Sequence, residues 1–201
     1  MEACSLTFVA MEDRHPSTIS GPVTDAERTY AVEMLTATRD SLRQSLAGLS
    51  LAQQHYKPAP DRWSIAECAE HIVLVDRGIF KGIQLAMHAP ADLSKRATIK
   101  VSDVFVIKAV RSRGTVAPAP PRFIPTGRYA DTQTALAVFE QQRAAAIEYV
   151  QSTTDDYRTH YFEHPFLGTL DAFQAVLLLA SHGERHRKQI EEVKADPGFP
   201  A

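Results

Sequence analysis

His182 and His186 stand four apart in Ala180-Ser181-His182-Gly183-Glu184-Arg185-His186. On a helix that spacing sets two imidazoles about 6 Å apart along one face, near enough to share one metal ion. The face matters as much as the spacing. Leu178 and Leu179 precede the pair and Ile190 and Val193 follow it, so both rings lie on or beside an apolar stripe and point inward. A buried imidazole needs a partner at each nitrogen, and a shared cation serves two rings at once. The pair alone is weak evidence, because ordinary amphipathic helices also carry such pairs. A zinc-protease reading fails outright: it requires a glutamate directly after the first histidine as general base, and that position is Gly183. Glu184 falls on the opposite, solvated side of the helix.

A third ligand would have to come from another element. His71 lies between Cys68 and Leu74-Val75, at the edge of its own apolar stripe. A lone histidine there is most often a hydrogen-bonded core residue. Cys68, three residues earlier, could touch the same site, although a small buried hydrophobe is its commoner role.

Four helical segments would position these residues. The first opens at the capping box Thr24-Asp25-Ala26-Glu27 and runs to about Gly48, with Ala31, Leu35, Leu42, Leu46 and Leu49 as its buried stripe. The second opens at Ser64-Ile65-Ala66-Glu67, a second capping box, and stops near His88 before Pro90. Residues 89–130 hold five prolines and two glycines and form a crossover, with room for a short helix between Ile99 and Val110. The third helix covers about Asp131–Gln151, and the fourth runs from near Thr169 or Leu170 to about Lys194, before Pro197-Gly198. No segment shows a convincing alternating strand pattern. The expected fold class is all-α: a four-helix bundle with a long crossover between the second and third helices.

With these elements in place, Trp63-Ser64-Ile65-Ala66-Glu67-Cys68-Ala69-Glu70-His71 resembles the opening of the second helix in the DinB-like superfamily. His164-Pro165, Gly168-Thr169-Leu170 and the run from His182 to Ile190 are similar to that family's later blocks, in the same order. The resemblance spans about Thr24 to Lys194. It implies a DinB-type bundle with a divalent metal ion, zinc or nickel, on His71, His182 and His186. The best-matched branch is similar to the bacillithiol-transferase-type proteins, once described as metal-dependent hydrolases. It therefore implies an S-transferase joining a low-molecular-weight thiol to a small electrophile. A hydrolase in which the ion activates water, and a non-catalytic metal-binding stress-response module, are the alternatives. Gln189 could orient an imidazole or be a surface amide, Trp63 packs the helix entry, His164-Pro165 could close the mouth of the site, and His15, His55, His88 and His160 read as surface residues.

Composition excludes more than it assigns. With 22 basic against 24 acidic side chains the net charge is −2, so no global field recruits nucleic acid or an anionic membrane. A surplus of four positive charges between Asp92 and Gly114 is either a solvated face or an attractor for an anionic substrate. No apolar run approaches the roughly 20 residues of a membrane helix. Two cysteines, Cys4 and Cys68, make no disulfide framework, which points to a reducing compartment and a cytoplasmic protein. The expected partners are a small-molecule substrate and a second copy of the chain, with Met34, Met87 or exposed crossover residues at the contact. The expected division is a loose leader at 1–22, a bundle at 23–196 and a short tail at 197–201.

Overall fold

The computed structural model describes residues 11–19, 21–114 and 118–201. Four long helices form the body: α1 (Asp25–Leu46), α3 (Ile65–His88), α5 (Thr132–Ser152) and α6 (Ala172–Lys194). Both expected capping boxes close. Thr24 and Ser64 accept the amides of Glu27 and Glu67 at 3.2 Å each, and those carboxylates return to the amides of Thr24 and Ser64 at 2.8 and 2.7 Å. A five-residue helix, α2 (Leu51–His55), was not legible by periodicity, being barely more than one turn. α1 and α3 each pack against both α5 and α6, so the interior is shared by all four. The crossover contributes α4 (Asp103–Arg111), which starts inside the expected window, ends one residue beyond it, and packs on α6.

The start of the last helix differs from the sequence reading. Gly168–Asp171 is a strand, β2, paired antiparallel with β1 (Tyr161–His164) so that Phe162 faces Leu170. Four residues are too few to display a period of two, which is why no alternation was visible. Asp171 rather than Thr169 ends the strand and caps α6, accepting the Gln174 amide at 2.8 Å.

The core is two apolar blocks with a polar layer between them. One block holds Leu35, Ile79, Val150 and Val176; the other holds Leu42, Ile72, Phe139 and Ile190. Between them lie Thr38 of α1, Asp76 of α3, Arg143 of α5 and Ser181 of α6, all buried. Arg143 Nη2 meets Asp76 Oδ2 at 2.7 Å and the Leu179 carbonyl at 3.4 Å. Met34 and Met87, considered for a dimer contact, are buried within the chain instead.

A second buried ionic cluster ties the crossover to the bundle ends. Arg158, on a short 3-10 turn (Tyr157–Thr159), reaches Asp103 at the start of α4 (2.8 Å), Glu27 at the start of α1 (2.8 Å) and the α6 cap Asp171 (3.0 Å). Arg96 and Arg14 complete it, at 2.5 Å from Asp171 and Glu27 respectively. The expected loose leader falls partly on residues 1–10, which lie outside the described residues. Residues 11–19 carry specific contacts: Pro16 and Ile19 are buried and Met11 packs against the core. No helix among the described residues is long and apolar enough to cross a membrane.

Candidate metal centre

α3 and α6 run antiparallel, which brings the second turn of α3 against the fourth and fifth turns of α6. His71, His182 and His186 therefore converge, with ligand nitrogens all within 4.8 Å of one another. Ring centroids are 5.2 Å apart for His71 and His182, 4.5 Å for His71 and His186, and 4.6 Å for His182 and His186. His71 and His186 are buried, and His182 is partly exposed.

The outward nitrogens are held by acceptors. His71 Nδ1 lies 2.7 Å from the carbonyl oxygen of Phe123, which can only accept, so Nδ1 carries the proton and Nε2 a free lone pair. His186 Nδ1 lies 2.9 Å from Gln189 Oε1. The same oxygen receives Arg113 Nη1 at 3.4 Å, and since a guanidinium only donates, the amide orientation and the His186 tautomer follow. Gln189, undecided between two roles by sequence, thus orients His186. His182 Nδ1 is buried with no hydrogen-bond partner among the described residues. An orphaned buried nitrogen costs about 1–3 kcal/mol, and a cation among three imidazoles is one group that relieves such a cost. The donor set and its outer partners fit a divalent ion.

Burial keeps the rings neutral. It lowers His71, and with the neighbouring His186 and His71 it holds His182 well below its ordinary value. Burial, reinforced by His71, pushes His186 down to about 3. Neutral imidazole is the form that binds metal. One consequence is measurable in metal-free protein. Between pH 6.5 and 3 the unfolded chain takes protons that the folded rings refuse, so this contribution to stability is lost as pH falls through that window. Asp76 and Asp171, raised by burial, act with the opposite sign. The readout is therefore a difference: the urea midpoint should fall more steeply below about pH 6.5 in the wild type than in His186→Gln. Equal slopes would contradict it.

Several residues take different places from those expected. Trp63 does pack the helix entry, but its ring also lies 4.7 Å from that of His71 and 6.0 Å from that of His186, forming one wall of the site. Cys68 is fully buried among Leu42, Ile65 and Ile72, outside the histidine cluster, and burial pushes its thiol pKa up. His164 does not close the mouth. The Phe162 ring of the same strand lies directly over Gly82, eleven residues and about 16 Å along α3 from His71. His164 Nδ1 instead accepts the amides of Phe166 and Leu167 within its own turn. His160 is buried rather than superficial, bonded to the Asp156 carbonyl at 2.9 Å. The crossover cations divide: Arg96 is spent on Asp171, and Arg113 sits beside the site, bound to Gln189 and to both oxygens of Glu192.

Comparison with known proteins places this arrangement. The solved structure of YfiT from Bacillus subtilis, described as a probable metal-dependent hydrolase with an unusual four-helix bundle topology, superposes with a TM-score of 0.64. The match covers 92% of this chain and 98% of YfiT at 13% identity. The four-helix bundle protein TT2238 gives a TM-score of 0.51 at 21% identity, covering 82% of this chain and 98% of its own. In sequence, the uncharacterized protein YuaE of Bacillus subtilis is 25% identical over 152 residues, 74% of this chain and 88% of YuaE. The family model of the DinB superfamily matches residues 34–190, a span that includes all three histidines and parts of all four long helices. The chain belongs to the DinB superfamily.

Proposed function

We propose that His71, His182 and His186 hold one divalent cation, zinc or nickel, and that the chain joins a low-molecular-weight thiol to a small electrophile. The observation that carries this reading is the donor set: three neutral imidazoles within 4.8 Å and, among the described residues, no fourth protein ligand. Structural zinc sites are usually closed by four protein ligands, whereas three leave a position for an incoming molecule. A bound divalent ion supplies Lewis-acid chemistry, lowering the pKa of a thiol or water that reaches it.

The chain's own residues supply orientation and exclusion. Phe123 and Gln189 fix two rings, Trp63 walls one side, and the partly exposed His182 marks the opening. The one thiol among the described residues, Cys68, is buried with a raised pKa and is no nucleophile. The nucleophile in this reading is a small molecule. Water is the second candidate, which makes the chain a hydrolase; the description of YfiT favours it.

Zinc- and nickel-loaded protein, incubated with a small thiol and an aryl halide, should consume both in a metal-dependent reaction that Cys68→Ala leaves intact. Turnover of an activated ester without thiol would replace the transferase with the hydrolase. Metal uptake without either activity would leave a non-catalytic metal-binding module, and loss of metal in Cys68→Ala would mean a closed, structural site.

A further inference from the structure

Glu70 stands next to His71 in the sequence and is only 3% exposed, yet it lies outside the histidine cluster. Its carboxylate accepts three consecutive backbone amides from the crossover: Thr126 at 2.8 Å, Gly127 at 2.9 Å and Arg128 at 3.0 Å. Gly127 has a φ of +78°, the left-handed turn that lets successive N–H groups converge on one anion. The amide-bearing residues 126–128 are themselves exposed. A buried carboxylate thus holds an exposed strap by its backbone.

The same strap carries the acceptor for His71. Phe123, three residues before Thr126, places its carbonyl 2.7 Å from Nδ1. Its ring lies against Gly78, two turns along the same face of α3, where a Cβ would meet the ring at 2.8 Å. Three residues span at most about 10 Å, so a larger drift of residues 126–128 from the helix pulls the Phe123 carbonyl off Nδ1. Neighbouring side chains of α3 therefore grip one segment in complementary senses: Glu70 receives its N–H groups while His71 donates to its C=O.

We propose that Glu70 is a positioning residue that sets the tautomer of His71, and through it the affinity of the site, by holding the strap 123–128. The affinity part rests on the metal reading above; the tautomer part does not. With the strap in place, Nδ1–H is fixed and Nε2 is left as the ligand. With it released, the Nδ1 proton loses its acceptor, the ring is free to rotate, and either nitrogen takes the proton.

Two variants test this. Glu70→Ala removes all three acceptor contacts. Glu70→Gln keeps the shape but turns an NH2 group toward at least one of the three N–H donors, and it serves if the alanine variant fails to fold. The first readout is the nitrogen–proton correlation spectrum of the His71 ring in metal-free protein. Wild type should show one species, protonated on Nδ1; folded variants, checked by circular dichroism, should show mixed or Nε2-protonated species. The second readout is zinc affinity by chelator competition, expected to fall 10–100-fold. A purely electrostatic effect of the carboxylate on the cation would weaken zinc but leave the metal-free tautomer unchanged, and that result would overturn the proposal. So would an unchanged tautomer with unchanged affinity. If the wild type takes up no zinc, the metal reading falls, and the tautomer readout still decides the role of Glu70.

Discussion

His182→Ala should lower the metal content of the purified protein from one equivalent per chain to background by elemental mass spectrometry. Structural zinc sites with four ligands bind with about 10–16 kcal/mol, or roughly 3 kcal/mol per ligand, so losing one of three should cost on the order of 100-fold or more in affinity. His182 is the apt position because it is the partly exposed member of the three, and its removal leaves both apolar blocks intact. The chain has one tryptophan, Trp63, with its ring 4.7 Å from His71, so its fluorescence should be quenched by cobalt or nickel in the wild type and unresponsive in the variant. Metal should also raise the unfolding free energy of the wild type alone, by about 2.7 kcal/mol at a free concentration one hundred times Kd. A wild type without metal, or a variant that keeps one equivalent, would remove the ion from the function.

The largest expected loss of stability is at Arg158→Ala. This guanidinium serves Glu27, Asp103 and Asp171, whose side chains are 11, 5 and 0% exposed, and it lies 4.4 Å from the ring of Phe173. Removing one member of a buried ion pair costs about 3–5 kcal/mol because the partner's charge stays buried and uncompensated. Here three carboxylates lose their common partner, and Arg96 and Arg14 reach only Asp171 and Glu27. Against a total of about 5–15 kcal/mol, that is a large share. The sign with pH is diagnostic. Without Arg158, Asp171 loses the cation that opposes the upward push of burial and Glu27 loses one of the groups that lower it, so protonation on acidification favours the fold. Urea unfolding at pH 7 and pH 5 should show the gap between wild type and variant narrowing at the lower pH. A gap below 1 kcal/mol, or one that widens, would show that the cluster contributes little.

The four long helices were legible because each rests on local signals such as capping boxes and apolar stripes, whereas the grouping of His71 with His182 and His186 came from the resemblance to the family's blocks. The outer partners of the histidines were less so. The acceptor for His71 is a backbone carbonyl, a group every residue has, and it arrives from 52 positions away in the proline-rich crossover. Glu70 shows the same difficulty: it grips three backbone amides and also lies 3.7 Å from the Arg128 side chain, and nothing local in the sequence announces either contact. Other features were written in the sequence and passed over. Arg143 falls on the stripe Phe139, Arg143, Ala146, Val150, and Asp76 on the stripe Ile72, Asp76, Ile79, Ile83. Opposite charges at buried-stripe positions of two different helices are a signal that they meet, and they do, at 2.7 Å.

That pair has a consequence for how the helices find their alignment. The two apolar blocks are built largely from Leu, Ile, Val and Ala, residues close enough in shape that sliding one helix by a turn would exchange like for like. The slide is not neutral for the layer between them. Moving α5 by one turn, about 5.4 Å, would carry Arg143 from opposite Asp76 into hydrocarbon and leave a carboxylate and a guanidinium each buried alone. The salt bridge therefore works as a register pin, adding little net stability to the correct alignment and making its neighbours prohibitive. Arg143 also lies against Gly183, between His182 and His186, where a Cβ would come within 3.4 Å of its guanidinium. The pin that fixes α5 against α3 thus touches the very turn of α6 on which two of the three imidazoles are mounted.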